Sequence, residues 1–429
     1  MQRYSVPYGK GHLGFELPDD WLVEEVLPKP ARAVSDPRAA VEAALDDPVG
    51  EFSWARVGSL GAPTVAIAVN DKTRPVPHGH LLPPLLERLE GAGVRPENIL
   101  LLVATGTHPP MTEEEFFSIL PAEIVSRYPI VSHDATRESE LVQVGTTARG
   151  TPVRMNRRFL DADLRIVCGN IEPHQFMGFS GGVKSAVIGL AAKDTIDRNH
   201  MMMTRAGALP GHFEDNPPRQ DVEEMGRMVR VDLALNAILN DAKQIIDVLA
   251  GEPVEVMKRG IPRVRELYEL RVSPPFDLVI ASPGGHPKDI NVYQAQKALA
   301  HASLITRDGG GIVVTALCPE GSGSRSYEDW VSGRGSHEQV LRDFEAEGFR
   351  IGPHKAFQVA REATRFRTRW VTELPGELAE RLLLETCDSV EAAVDEVLGS
   401  SAARPRVGIM PAANATIATT GDTDERRPT

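Results

Sequence analysis

Short apolar runs rich in branched residues recur along the chain at 64–69 (TVAIAV), 99–104 (ILLLVA), 164–168 (LRIVC), 276–281 (FDLVIA) and 311–316 (GIVVTA). Runs of this length without polar alternation predict strands buried on both faces. Between them, at 81–89, 222–229, 254–270, 292–305 and 337–347, spacing or composition predicts helices. The alternation predicts an α/β architecture of two domains, each a largely parallel sheet flanked by helices. The boundary falls at 271–275 (RVSPP), where a long charged helix meets a double proline. That gives an N-terminal domain of residues 1–272 and a C-terminal domain of residues 273–429. After Pro405 comes one more apolar run (VGIMP) and then a polar stretch, which predicts a frayed tail after about residue 412.

A chain of 429 residues is too long for one ordinary core. Its 47 basic and 60 acidic residues leave a formal charge of −13, which argues against nucleic acid as a partner and requires a local basic pocket for any anionic substrate. Cys168, Cys318 and Cys387 are widely spaced beside apolar runs, as reduced buried thiols are, and this predicts a cytoplasmic protein. No apolar run approaches the ~18 residues of a membrane span, and the N-terminus lacks the apolar core of a signal peptide. No membrane partner is expected.

Ligands of open α/β sheets collect at the carboxyl ends of strands. Three such ends carry polar clusters. The first is Asn70-Asp71-Lys72-Thr73-Arg74-Pro75, which taken alone is more often a solvated turn. The second is Thr105-Gly106-Thr107-His108-Pro109-Pro110, followed by a TxxE capping box at Thr112–Glu115. His108 on such a loop has the chemistry of a general acid/base, although a lone loop histidine is usually ordinary surface. The third and richest runs from Gly169 through Glu172-Pro173-His174 to Gly181-Gly182-Val183-Lys184-Ser185.

That last loop invites comparison with the phosphate-binding GxxxxGK[ST] pattern, so a nucleotide-triphosphate-binding protein using Gly178–Ser185 is an alternative reading. Val183 stands where the second glycine is required, and the loop does not follow its strand immediately. Lys184 in a glycine-rich, otherwise apolar setting suits a nucleophile or covalent anchor as well as it suits a helix-start surface lysine. His200 ends DTIDRNH ahead of three methionines and by itself reads as structural.

Taken together, EPHQFMGFSGGVKSAVIGL, DTIDRNH, NDKTRP, ATGTHPP and PGGHPKDINVYQAQK resemble, in one motif order from about Tyr8 to beyond Gly311, the lactate racemase family that uses the nickel-pincer nucleotide. The resemblance implies a racemase or epimerase of 2-hydroxy acids, with the active site in a cleft between a cofactor-binding N-terminal domain and a C-terminal domain carrying a substrate-binding helix. It implies that Lys184 anchors the cofactor covalently, that His200 is a nickel ligand, and that Asp71 holds the cofactor or orients Arg74. His108 and His174 become the acid/base pair, and Arg74, Tyr293, Gln294 and Lys297 the substrate contacts. Hydride passes between the substrate's α-carbon and the cofactor while the histidines handle the hydroxyl proton. Maturation then requires cofactor-biosynthesis enzymes. Which 2-hydroxy acid is used, lactate, malate or another, stays open, as does assembly into a homo-oligomer.

Overall fold

The computed structural model describes residues 1–74, 76–240, 242–399 and 404–420. The chain forms two α/β units: Pro30–Leu267, and Met1–Lys29 together with Tyr268–Thr429. The chain changes unit after Leu267. Its first 29 residues, expected with the N-terminal domain, belong with the C-terminal part instead.

In the unit Pro30–Leu267, six strands lie in the order Ile245–Gly251, Leu233–Leu239, Leu164–Asn170, Val65–Asn70, Ile99–Ala104, Ile130–Ser132. All neighbours are parallel except the pair at the Ile245–Gly251 edge. Alternate residues Val65, Ile67, Val69 and Ile99, Leu101, Val103 face one core with Leu81, Leu82 and Leu85 of helix His78–Gly91. From the central strand Val65–Asn70 the chain crosses to Ile99–Ala104 and Ile130–Ser132, then returns on the opposite side as Leu164–Asn170. This reversal opens a crevice at the carboxyl ends of three neighbouring strands.

In the other unit the order is Thr386–Cys387, Arg367–Val371, Thr306–Thr315, Phe276–Ala281, Arg406–Met410, Leu22–Glu25, all parallel. Phe276, Val279 and Ala281 face a core with helices Val292–Ala302 and Pro353–Ala363. Leu278 and Ile280 face the opposite core, which holds Val6, Phe15 and Leu17 of the N-terminal hairpin and helix Val390–Leu398. This burial, with the pairing of Leu22–Glu25 against Arg406–Met410, is the physical reason that residues 1–29 join this unit. The expected fraying after residue 412 does not hold throughout: Ile417–Thr420 is a strand parallel to Glu269–Val272, with Ile417 and Ala418 buried. Residues 421–429 lie outside the described residues. Among the described residues, no helix is long and apolar enough to cross a membrane. Cys168 and Cys318 are buried free thiols and Cys387 is half-buried.

His78 in one unit and His301 in the other are fully buried, and burial pushes both imidazoles down to about 4 from an ordinary 6.5. Unfolding frees them to bind protons between those values. Their contribution is therefore complete above pH 6.5 and is lost as pH falls toward 4. Equilibrium denaturation from about pH 7.5 down to about pH 4.5 should show each unit losing on the order of 3 kcal/mol. A flat profile across that range would contradict the burial argument.

Candidate active site

Val65–Asn70 ends in a tight turn in which the Arg74 N–H donates to the Asp71 carbonyl (3.1 Å). The Asp71 side chain is buried, with Oδ1 accepting from the Thr73 hydroxyl (2.6 Å) and N–H (3.1 Å), and Oδ2 lying 2.7 Å from His108 Nδ1. Burial pushes this carboxyl up, but the hydrogen bonds from His108 and Thr73 and the charges of His108 and Arg74 outweigh it and hold it below the usual carboxylate range. An ionised carboxylate only accepts. His108 Nδ1 therefore carries a hydrogen, and Nε2 keeps a lone pair in the neutral ring. The sequence reading gives Asp71 to the cofactor or to Arg74, whereas here its carboxylate is committed to His108 and Thr73. Lys72 pairs with Glu115, and Pro75 lies outside the described residues.

The His108 loop is fixed from below. The buried Thr105 hydroxyl donates to the His133 carbonyl (2.8 Å), and the N–H of Gly106, at φ +59°, donates to the Gly189 carbonyl (2.9 Å). Thr112 and Glu115 close the capping box reciprocally.

After Leu164–Asn170, Pro173–His174 pairs with Gly178–Phe179 in a short antiparallel ladder. Gly178 sits at φ +70°, and a Cβ there would lie 1.6 Å from the His212 carbonyl oxygen, so no side chain fits. His174 Nδ1 accepts the Met177 N–H (3.3 Å), which leaves the hydrogen of the neutral ring on Nε2. The two histidines thus hold opposite tautomers.

Three N–H groups of the glycine loop are already used within the fold. The Phe179 N–H donates to Met177 (2.8 Å), Ser180 to the Glu172 carbonyl (2.8 Å) and Gly182 to Asn236 Oδ1 (2.7 Å). Fully buried Arg219 clamps the loop from outside through the carbonyls of Phe179 (2.9 Å) and Gly181 (3.2 Å), its charge balanced by Glu223 (2.6 Å). Lys184 then opens the short helix Lys184–Val187, half-buried. Helix Lys193–His200 is pinned by its penultimate residue, because the Asn199 amide donates to Asp221 Oδ2 and to the Pro218 carbonyl, both at 2.9 Å.

Asp71, Arg74, His108, His174, Lys184 and His200 line one cavity, together with Asn70, Thr105, Asn170, Ser180 and Ser185. Six of the nine residues singled out from sequence therefore meet. Tyr293, Gln294 and Lys297 belong to the other unit, on helix Val292–Ala302, where Lys297 Nζ donates to Gln294 Oε1 at 2.6 Å. Sequence reasoning missed Phe176, whose buried ring contacts His174 edge to face (centroids 4.9 Å apart) and His200 likewise (5.1 Å). It also missed Asn236 and Arg219, which shape the loop from strand Leu233–Leu239 and helix Pro217–Val229.

Comparison with known proteins gives a consistent picture. The family model for the lactate racemase N-terminal domain matches residues 8–209, and that for the lactate racemase C-terminal domain matches residues 272–417. The chain is 30% identical over 353 residues to a lactate racemase of Thermoanaerobacterium thermosaccharolyticum, covering 81% of this chain and 82% of that protein. It is 32% identical over 333 residues to a lactate racemase of Lactiplantibacillus plantarum, covering 76% and 77%. The solved structure of the lactate racemase apoprotein from Thermoanaerobacterium thermosaccharolyticum matches with a TM-score of 0.90 at 26% identity, over 97% of this chain and 100% of that one.

Proposed function

The chain belongs to the lactate racemase family, and on that premise we propose that it racemises or epimerises a 2-hydroxy acid, using the cavity of the unit Pro30–Leu267. The observation that carries the reading is that His108 and His174 line one cavity with Lys184 and His200. Inverting a carbon that bears a hydroxyl calls for two acid/base groups, because each enantiomer presents its hydroxyl proton to a different side.

The donor set suits a nickel-pincer nucleotide. Among the described residues, no three or more His, Cys, Asp or Glu side chains are grouped to hold a metal, so a metal at His200 needs a carrier that brings most of its own ligands. Lys184 offers that carrier a covalent anchor, and His200 offers nickel an imidazole nitrogen. When bound, the group supplies an acceptor and donor of hydride for the substrate's α-carbon.

Proton movements fall to the chain. For one enantiomer, His108 Nε2 takes the hydroxyl proton, with the Asp71 carboxylate facing the positive ring that results. A protonated His174 gives a proton to oxygen as the opposite configuration forms and becomes neutral, and the reverse reaction begins with His108 protonated and His174 neutral. Arg74 supplies a fixed cation for the substrate carboxylate, and the family resemblance adds Lys297, Gln294 and Tyr293 as substrate contacts. The Gly178–Ser185 loop serves here as a cofactor socket and not as a triphosphate site, since its N–H groups at Phe179, Ser180 and Gly182 are already used.

The test is a racemisation screen over α-deuterated 2-hydroxy acids, with protein from a host that makes the cofactor. At least one acid should racemise with deuterium retained at the α-carbon. Wash-out of deuterium into water would replace hydride transfer by proton abstraction, and a silent panel would sink the activity altogether.

A further inference from the structure

Three asparagines stand on neighbouring strands beside the Lys184 loop, and two of them hold it in place. Asn70, which closes Val65–Asn70, accepts the Ser185 hydroxyl at its Oδ1 (3.3 Å). Asn236 accepts the Gly182 N–H at Oδ1 (2.7 Å) and donates through Nδ2 to the Leu235 carbonyl (2.9 Å). Asn170 ends Leu164–Asn170, the strand between those two, and is only 4% exposed. Among the described residues, nothing accepts a hydrogen bond from its buried Nδ2.

A buried N–H group without an acceptor is destabilising, and a fold seldom keeps one unless a further partner satisfies it. Asn170 lines the cavity that His108, His174, Lys184 and His200 also line. Asp71, the acidic residue among those lining it, is committed to His108 and Thr73. The donor is thus set to receive an acceptor that a ligand brings in. Its place in the fold decides between ligands. Gly181 crosses Asn170 so closely that a Cβ there, at φ +91°, would lie 3.0 Å from the Asn170 carbonyl oxygen. Lys184 follows three residues on. Asn170 therefore sits at the base of the loop that bears the proposed anchor, whereas Arg74 and His108 come from the loops after two other strands.

We infer that Asn170 is a further cofactor-binding residue, whose Nδ2–H donates to an acceptor atom of the nucleotide carrier that Lys184 anchors. This rests on the racemase reading above for the identity of the carrier. The amide takes no part in moving the hydride or the proton. Its role is to restrain the carrier in its socket through a hydrogen bond that the chain alone does not make.

The test uses the full chain, wild type, Asn170→Ala and Asn170→Asp, each expressed in a host that makes the cofactor and in one that does not. Asn170→Asp keeps the shape of the side chain and turns the donor into an acceptor. Loaded wild type should unfold at a higher temperature than unloaded wild type, because a group bound only by the native state stabilises it. Both variants should lose much of that increment, and under a chelator they should release nickel faster by on the order of 10-fold or more. Without cofactor, Asn170→Ala should melt at or above the wild type, since the change removes a donor that has no partner. A residue that only packs gives the opposite pattern: a lower Tm without cofactor, an unchanged increment, and Asn170→Asp behaving as wild type. That pattern would overturn the inference. An unchanged increment and unchanged nickel release with a raised KM would also overturn it, by assigning the donor to the substrate. Wild type that takes up neither adduct nor nickel would overturn the racemase reading and the inference with it, whereas loaded variants that hold the cofactor as the wild type does would overturn the inference alone.

Discussion

His108→Ala and His174→Ala are each expected to cut turnover by ~10²-fold or more in both directions, with the mass of the Lys184 adduct and the nickel content unchanged. Loss in both directions follows from the cycle: whichever enantiomer enters, one ring must take a proton and the other must give one. The hydrogen bonds at the two Nδ1 atoms differ, and a sharper expectation follows from that. Asp71 Oδ2 accepts from His108 Nδ1 at 2.7 Å, whereas His174 Nδ1 accepts from a backbone N–H at 3.3 Å. Asp71→Asn removes the charge that faces a protonated His108 and loosens its tautomer, so it should lower kcat by ~10-fold or more with KM little changed. Kinetics of the purified, loaded variants from both enantiomers decide the matter. If either alanine variant keeps wild-type turnover, that histidine is not an acid/base, and equal effects of Asp71→Asn on KM and kcat would make Asp71 a binding residue.

These residues were legible because each lies at the end of a strand that its own apolar run announces. Val65–Asn70, Ile99–Ala104 and Leu164–Asn170 are buried enough to show as continuous hydrophobic stretches, and the loops that follow bring Asp71, His108 and His174 to one cavity within a few residues. What stayed hidden depends on contacts distant in sequence. Phe176 is one apolar residue among several until the hairpin turns it against both His174 and His200. Asn236 looks like an interruption in LALNAIL, yet its Oδ1 holds the Gly182 N–H. Ile417–Thr420 reads as polar tail because its partner, Glu269–Val272, lies far back in the chain. Residues 1–29 join the C-terminal part for the same reason: their few apolar side chains, Val6, Phe15 and Leu17, gain a core only from strands far along the chain. Local motifs reveal reactive groups, whereas the groups that shape and select are revealed by packing.

The largest effect is expected at Lys184. Lys184→Ala should give protein of unmodified intact mass, without nickel and without racemase activity, and Lys184→Arg should behave the same way. Arginine restores the positive charge but offers no amine for a covalent bond, so the pair of variants separates anchoring from electrostatics. A phosphate-binding lysine would behave differently, with arginine recovering part of the function. His200→Ala provides the complementary result: on the proposed assignment of the imidazole to the metal and the amine to its carrier, the adduct on Lys184 should persist while nickel is lost. The surrounding loop should tolerate these changes. It is held by Arg219 and Asn236 through the carbonyls of Phe179 and Gly181 and the N–H of Gly182, none of which involves the Lys184 side chain. Unchanged thermal unfolding of Lys184→Ala would show that the fold survives. Wild-type protein from a cofactor-making host that carries neither added mass at Lys184 nor nickel would remove the basis for the cofactor assignment, because a racemase that works through this socket must be occupied to turn over.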